Sequence, residues 1–125
     1  MKRKLISTGS PMEQTAGYSR AVIHGDFAHI AGTTGYNYEE MKMPDCVVTQ
    51  TRNCLQTISE ALREGGFTLE QVVRVNYYVT DRAHVPVVFE EVGKIFRDIR
   101  PAATMVICDL VDPRMLIEIE ATAQR

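Results

Sequence analysis

The sequence predicts an α+β protein, one mixed β-sheet with two helices packed on a single face. Three observations carry that prediction. β-prone runs stand at both ends of the chain, two amphipathic stretches of helical period lie between them, and two helices are too few to cover both faces of a sheet. The 125 residues, 45% hydrophobic and 24% charged, suit one domain, residues 1–125, that buries a core without metal or disulfide staples.

The first strand is expected at Arg3–Ser7, ended by the Gly9-Ser10-Pro11 turn signal. Tyr18–Ile23 and Phe27–Gly32 flank the tight link His24-Gly25-Asp26 and read as a hairpin. Thr33–Pro44, rich in Gly, Thr, Asn and charge, reads as a loop. Beyond it Val48, Thr51, Leu55, Ile58 and Leu62 recur every three or four residues, with Arg52, Gln56, Glu60 and Arg63 on the other side. That is an amphipathic helix, with Asp45 as its expected N-cap and Gly65-Gly66 as its stop. Val72–Thr80, dense in Val and Tyr, predicts a strand. Asp81 opens a second helix over Ala83–Arg97, with Pro86 in its first turn and Val85, Val88, Phe89, Val92 and Phe96 as its apolar stripe. Arg100-Pro101 ends it, and strands at Ala103–Leu110 and Met115–Ala123 complete the chain.

Composition narrows the function classes. No apolar run approaches the ~20 residues of a membrane span. The basic start Met1-Lys2-Arg3-Lys4 has no apolar stretch behind it, so the expected location is the cytoplasm, without membrane attachment. Net charge is −2, and that start is the only basic cluster, which argues against nucleic-acid binding. Cys46, Cys54 and Cys108 are scattered and expected to be buried thiols in a reducing compartment. Among His24, His29 and His84 no two stand at ligand spacing, so no metal site is expected, and no cofactor.

Several strands carry apolar residues on both alternating sets: Val106 and Cys108 against Met105 and Ile107, and Val73 and Val75 against Val72 and Tyr78. The uncovered sheet face is therefore expected to be apolar and to be sheltered by self-association as a closed symmetric oligomer.

Read in order, five segments resemble the Rid (reactive intermediate deaminase, YjgF-type) family. They are Gly17-Tyr18-Ser19-Arg20-Ala21-Val22, Ile30-Ala31-Gly32, the strand from Val72 to Asp81, Arg100-Pro101-Ala102-Ala103-Thr104-Met105-Val106, and Ile117-Glu118-Ile119-Glu120-Ala121-Thr122-Ala123. The resemblance implies a chorismate-mutase-like fold and a homotrimer whose sheets form an inner barrel, with small-molecule clefts between subunits. It also implies a site in which a glutamate orients the attacking water, an arginine holds a substrate carboxylate, and a tyrosine and small-residue backbone line the rest. The tyrosine falls on Tyr18, the glutamate on Glu118, and the small-residue segment on Gly32. The arginine position falls on Ala103, followed by Thr104: where the family has Pro-Ala-Arg, this chain has Pro101-Ala102-Ala103. A guanidinium fork binds a carboxylate through two charge-assisted hydrogen bonds. Its loss costs ~2–5 kcal/mol, which makes 2-imino acids poor ligands.

Arg20, expected on the strand face of Tyr18, has two readings: a substitute guanidinium, or an interface arginine paired with an acid such as Glu120. Glu118 and Glu120 share a face ~7 Å apart, as an acid/base pair or as a polar sheet edge. Thr104 binds ligand or packs. Three functions stand: hydrolytic deamination, or another hydrolysis, of a small imine, enamine or carbamate-like metabolite with Glu118 as the catalytic residue; a non-catalytic small-ligand-binding trimer; and RNA cleavage, which the charge weakens.

Overall fold

Period-two burial along the last strand sets the geometry of the whole molecule. In the computed structural model, which describes residues 2–125, Ile117, Ile119, Ala121 and Ala123 are buried while Glu118, Glu120 and Thr122 alternate with them on the other side. The elements are β1 (Arg3–Ile6), α1 (Pro11–Ala16), β2 (Ala21–His24), β3 (Phe27–Thr34), α2 (Val47–Glu64), β4 (Val72–Val79), α3 (Val85–Phe96), β5 (Ala102–Ile107) and β6 (Ile117–Gln124). The strands make one sheet in the order β1-β2-β3-β6-β4-β5, parallel between β4 and β5 and antiparallel elsewhere. The expected α+β class, mixed sheet and two long helices are all present.

The core lies between the sheet and these helices. Ile30, Val75, Tyr77, Val79, Ile117 and Ile119 of the sheet meet Cys54, Leu55, Ile58 and Leu62 of α2 and Val88, Val92 and Phe96 of α3. A Cβ on Gly65 would sit 2.5 Å from the Ile23 Cδ1 atom, so the end of α2 approaches the sheet only because that residue is glycine. Gln50 is the unexpected core residue. It is fully buried on α2, where its amide donates to the carbonyls of Pro44 (2.7 Å) and Arg114 (2.9 Å) and accepts from the Leu116 amide (2.9 Å).

Several expectations need correction. Helix α1 was expected to be only a turn. Ser10 caps it, Pro11 occupies its first turn, and Gly17 ends it at φ +73°. Tyr18 and Arg20 therefore precede β2 rather than belonging to it. β3 runs two residues past Gly32 into the expected loop. The N-cap of α2 is Cys46, not Asp45, and Cys46 is exposed rather than buried. On α3, Val88, Val92 and Phe96 face the core, but Phe89 is 57% exposed and lines a groove with Phe96 and Ala103.

The largest correction concerns the open sheet face. It is not apolar: its centre carries Arg74, Asn76, Tyr78, Thr104, Glu118, Glu120 and Thr122, with exposed apolar residues such as Leu5 and Val106 toward the edges. On β4 a bulge is part of the difference. The β4–β6 register shifts between Val72 and Arg74, so Val72 and Val75 both face the core and Val73 is left exposed. One extra residue resets the alternation on which the sequence reading relied.

An ion cluster ties the helices together. Glu91 of α3 accepts from Arg52 of α2 (2.7 Å) and Lys94 (2.7 Å). These hydrogen bonds, Arg52's first, hold its carboxyl down to about 2, against the opposing effect of desolvation. A carboxyl depressed in the fold stabilises it above the unfolded pKa, and that contribution disappears as pH falls through the folded one. Thermal melts of Glu91→Gln are thus expected to lose less between pH 5 and pH 2 than those of the parent. Parallel curves would show that the cluster contributes nothing to folding.

Candidate functional site

Glu118 stands on the open face with its carboxyl against the backbone of β3. A Cβ on Gly32 would lie 2.9–3.2 Å from the three carboxyl atoms of Glu118, so the absence of a side chain at residue 32 makes the seat. Gly32 lies at a second irregularity, where the β3–β6 register shifts between Ile30 and Thr33. A bulge beside a functional group re-aims the groups around it. In register with Glu118 stand Thr34 on β3 and Tyr78 on β4.

The two carboxylates have different surroundings. Glu120 accepts from the Tyr78 hydroxyl (2.6 Å) and from the Asn76 amide (3.0 Å). The first of these bonds pushes the Tyr78 phenol upward. Glu118 accepts no hydrogen bond among the described residues. Burial raises its pKa and the Glu120 charge adds to the rise, with Arg20 opposing both. A pair of acids whose environments differ in this way can divide acid and base work.

Behind Gly32 lies Arg20, 1% exposed. Its Nη1 donates to the Gly32 carbonyl (2.7 Å) and to Thr33 Oγ1 (3.0 Å), and Thr33 Oγ1 in turn donates to the Ala31 carbonyl (2.8 Å). The guanidinium carbon sits 4.6 Å from the centroid of the Tyr38 ring and 5.8 Å from that of Tyr18. Its acidic neighbour is Glu13, not Glu120, at 3.9 Å from Nη2. Glu13 accepts from Ser7 Oγ (2.8 Å), the Thr8 amide (3.2 Å), the Thr8 hydroxyl and Ser10 Oγ (3.2 Å). Burial pushes its carboxyl up, but these bonds and the Arg20 charge outweigh burial, and the net shift is downward.

Tyr18, Arg20, Gly32 and Glu118 are thus brought to one neighbourhood. Thr104 and Ala103 are not. Thr104 shares the open face, but it lies on β5, two strands from β6, and accepts from Arg74 Nη2 (3.0 Å). Ala103 is in register with Val75 and turns to the helix side. There it lines a groove of about 430 Å³ with Phe89, Phe96, Arg97 and Arg100. Within one chain Ala103 and Glu118 face opposite sides of the sheet. No group of three or more potential metal ligands occurs among the described residues, and no helix is long and apolar enough to cross a membrane.

Sequence reading missed Glu13, Tyr38, Asn76 and Tyr78. Two signals were available. Ser10-Pro11-Met12-Glu13 has the Ser-x-x-Glu spacing of a helix start, and Asn76 and Tyr78 alternate in step with Glu118 and Glu120 on the neighbouring strand.

Comparison with known proteins agrees with this arrangement. The family model described as Endoribonuclease L-PSP matches residues 8–125. A crystal structure from Mycobacterium tuberculosis, described as a member of the YjgF/YER057c/UK114 family, is 41% identical. It superposes with a TM-score of 0.91, over 99% of this chain and 100% of that one. A putative endoribonuclease from Thermotoga maritima, 28% identical, gives 0.90 over 100% of this chain and 98% of its own. An uncharacterized protein of Streptomyces coelicolor is 30% identical over 96% of this chain and 90% of that protein.

Proposed function

Because the chain belongs to the endoribonuclease L-PSP family, that of the YjgF and Rid proteins, we propose that it hydrolyses a small neutral imine or enamine in a cleft between subunits of a homotrimer. The single observation that carries this reading is Glu118, a half-buried carboxyl with a raised pKa and no hydrogen-bonded partner among the described residues. Such a group can take a proton from water and return it to a leaving amine. As water attacks the imine carbon, Glu118 takes one proton from it and passes it to the imine nitrogen. Glu118 then takes the hydroxyl proton of the carbinolamine and gives it to the amine as the C–N bond breaks, leaving a carbonyl compound and ammonia.

Where the residues lie supports a cleft shared between copies, and the family resemblance is what makes the copies three. Ala103 and Glu118 are on opposite sides of one sheet, so a cleft holding both needs two copies. One copy would present Tyr18, Gly32 and Glu118, and the next would present the groove beside Ala103, with Thr104 near the seam. The exposed Phe89, Val106 and Ile107 at the β5 edge are the apolar surface that such a contact would cover.

Ala103 sets the substrate class. Without a guanidinium there, a substrate carboxylate loses a contact worth ~2–5 kcal/mol, or ~30-fold or more in affinity. The test is ammonia release from neutral cyclic or aliphatic enamines beside 2-imino acids generated by a dehydratase. Expected are a three-chain particle in sedimentation, faster turnover of the neutral compounds, and a ~10²-fold or greater loss in Glu118→Gln. Equal rates for parent and variant would end the hydrolytic reading. Ligand-dependent thermal stabilisation without turnover would instead favour a non-catalytic binding trimer, which the missing anchor at Ala103 also fits. Salt-sensitive RNA affinity would favour nuclease function, against the net charge of −2.

A further inference from the structure

We propose that Arg20 is a positioning residue for Glu118: its guanidinium grips the Ala31–Thr33 bulge on which the Glu118 carboxyl rests and brings a positive charge to its neighbourhood. The inference deepens the reading of Glu118 given above and rests on it for its catalytic meaning, but its geometry stands separately.

Three features point the same way. Arg20 Nη1 bonds Gly32 O at 2.7 Å and Thr33 Oγ1 at 3.0 Å, so it holds the two residues at the register shift from behind. The Glu118 carboxyl packs on the Cα of that same Gly32. Arg20 cannot serve as an open anchor for a ligand, because it is 1% exposed and sandwiched toward Tyr38. A buried arginine is expensive unless its charge is compensated. Here Glu13 compensates it only loosely, at 3.9 Å, and Nε and Nη2 have no hydrogen-bond partner among the described residues. The cation is thus incompletely neutralised by its near neighbour, and its field extends to the next acid, Glu118, whose protonation it opposes.

The charges that bear on Glu118 are Glu120 on its own strand and Arg20 before β2. Glu118 in turn adds to the upward shift that the Glu120 hydrogen bond gives Tyr78 on β4 and that burial gives Cys54 on α2. Of these, Glu120 disfavours the carboxylate and Arg20 favours it. Removing Arg20 leaves burial and Glu120 unopposed.

The experiment uses full-length protein labelled with ¹³C at glutamate carboxyls, with Glu118→Gln to assign the resonance. Arg20→Met is expected to move the Glu118 titration midpoint upward and to shift the Gly32 and Thr33 amide resonances. Arg20→Lys, which keeps the charge without the fork, is expected to return the midpoint toward the parent value while leaving the Gly32 and Thr33 amides displaced. A purely structural role would give neither the upward midpoint nor its recovery by lysine. If Arg20→Met does not fold, the Lys variant alone decides: a midpoint near the parent's with displaced bulge amides supports the proposal, and parent-like amides overturn it. An unchanged midpoint in folded Arg20→Met overturns it too. If the midpoint moves as expected but parent and Glu118→Gln turn over imines equally, the positioning role stands and the hydrolytic reading falls.

Discussion

Gln50→Ala is expected to lower the unfolding free energy by ~3–5 kcal/mol, the largest stability loss of any single substitution considered for this chain. The Gln50 side chain is fully buried and bonds three main-chain groups: the Pro44 carbonyl before α2, and the Arg114 carbonyl and Leu116 amide before β6. Each buried main-chain group left without a partner costs ~1–3 kcal/mol, and alanine abandons all three. For a domain of this size the loss corresponds to a fall of ~10–20 °C in melting temperature. Gln50→Glu separates hydrogen bonding from packing. It keeps the volume, but an ionised carboxylate cannot donate to two carbonyls, so it is expected to be at least as damaging at pH 7 as alanine. Chemical denaturation measures both. A loss below ~1 kcal/mol for alanine would mean that water replaces the amide at this position. Gly35 belongs to the same lock, since a Cβ there would fall 2.4 Å from Gln50 Cβ.

Gly32→Ala is expected to lower turnover ~10²-fold while changing stability by less than ~1 kcal/mol. The three atoms nearest the new methyl group would be those of the Glu118 carboxyl, at 2.9–3.2 Å. That carboxyl ends a flexible side chain on an uncovered face, so it swings aside at little cost to folding. The same movement takes it from its place beside the β3 bulge, and a displacement of about 1 Å suffices to cost two orders of magnitude in a positioned reaction. Steady-state rates on a neutral enamine, paired with melting curves, provide the check. Full activity in a folded Gly32→Ala protein would mean that the carboxyl works from another position, or not at all.

Much of this arrangement was visible in the residues. The register of α2 was, because Leu55, Ile58 and Leu62 repeat at helical spacing and Gly65 ends the repeat. Glu118 was, because it lies in a strand that obeys strict alternation. The failures have physical causes. Two bulges break alternation, at Val73 and at Ala31–Gly32, and no local residue preference marks an extra residue in a run of valines. Helix α1 spans six residues, too few for periodicity to register, so only its capping residues could have shown it. Phe89 lies one residue past Val88 on an amphipathic helix, and whether that position faces core or solvent depends on how far the sheet extends beneath it. Arg20 looked like a surface residue because arginine usually is one. Its burial depends on Glu13, Tyr38 and the β3 carbonyl, and only the fold brings these together.

The two bulges flank β6 on opposite neighbours, one on β3 and one on β4. Each bends its strand and adds right-handed twist locally, so bending is concentrated on either side of β6. A bent sheet with a polar middle and greasy margins suits closure with copies of itself around a wet lumen: the margins can seal while the centre stays hydrated. Excising Val73 would remove the bulge on β4, and in the proposed trimer it is expected to weaken the contact between copies, read by sedimentation, while leaving Glu118 and Gly32 in place.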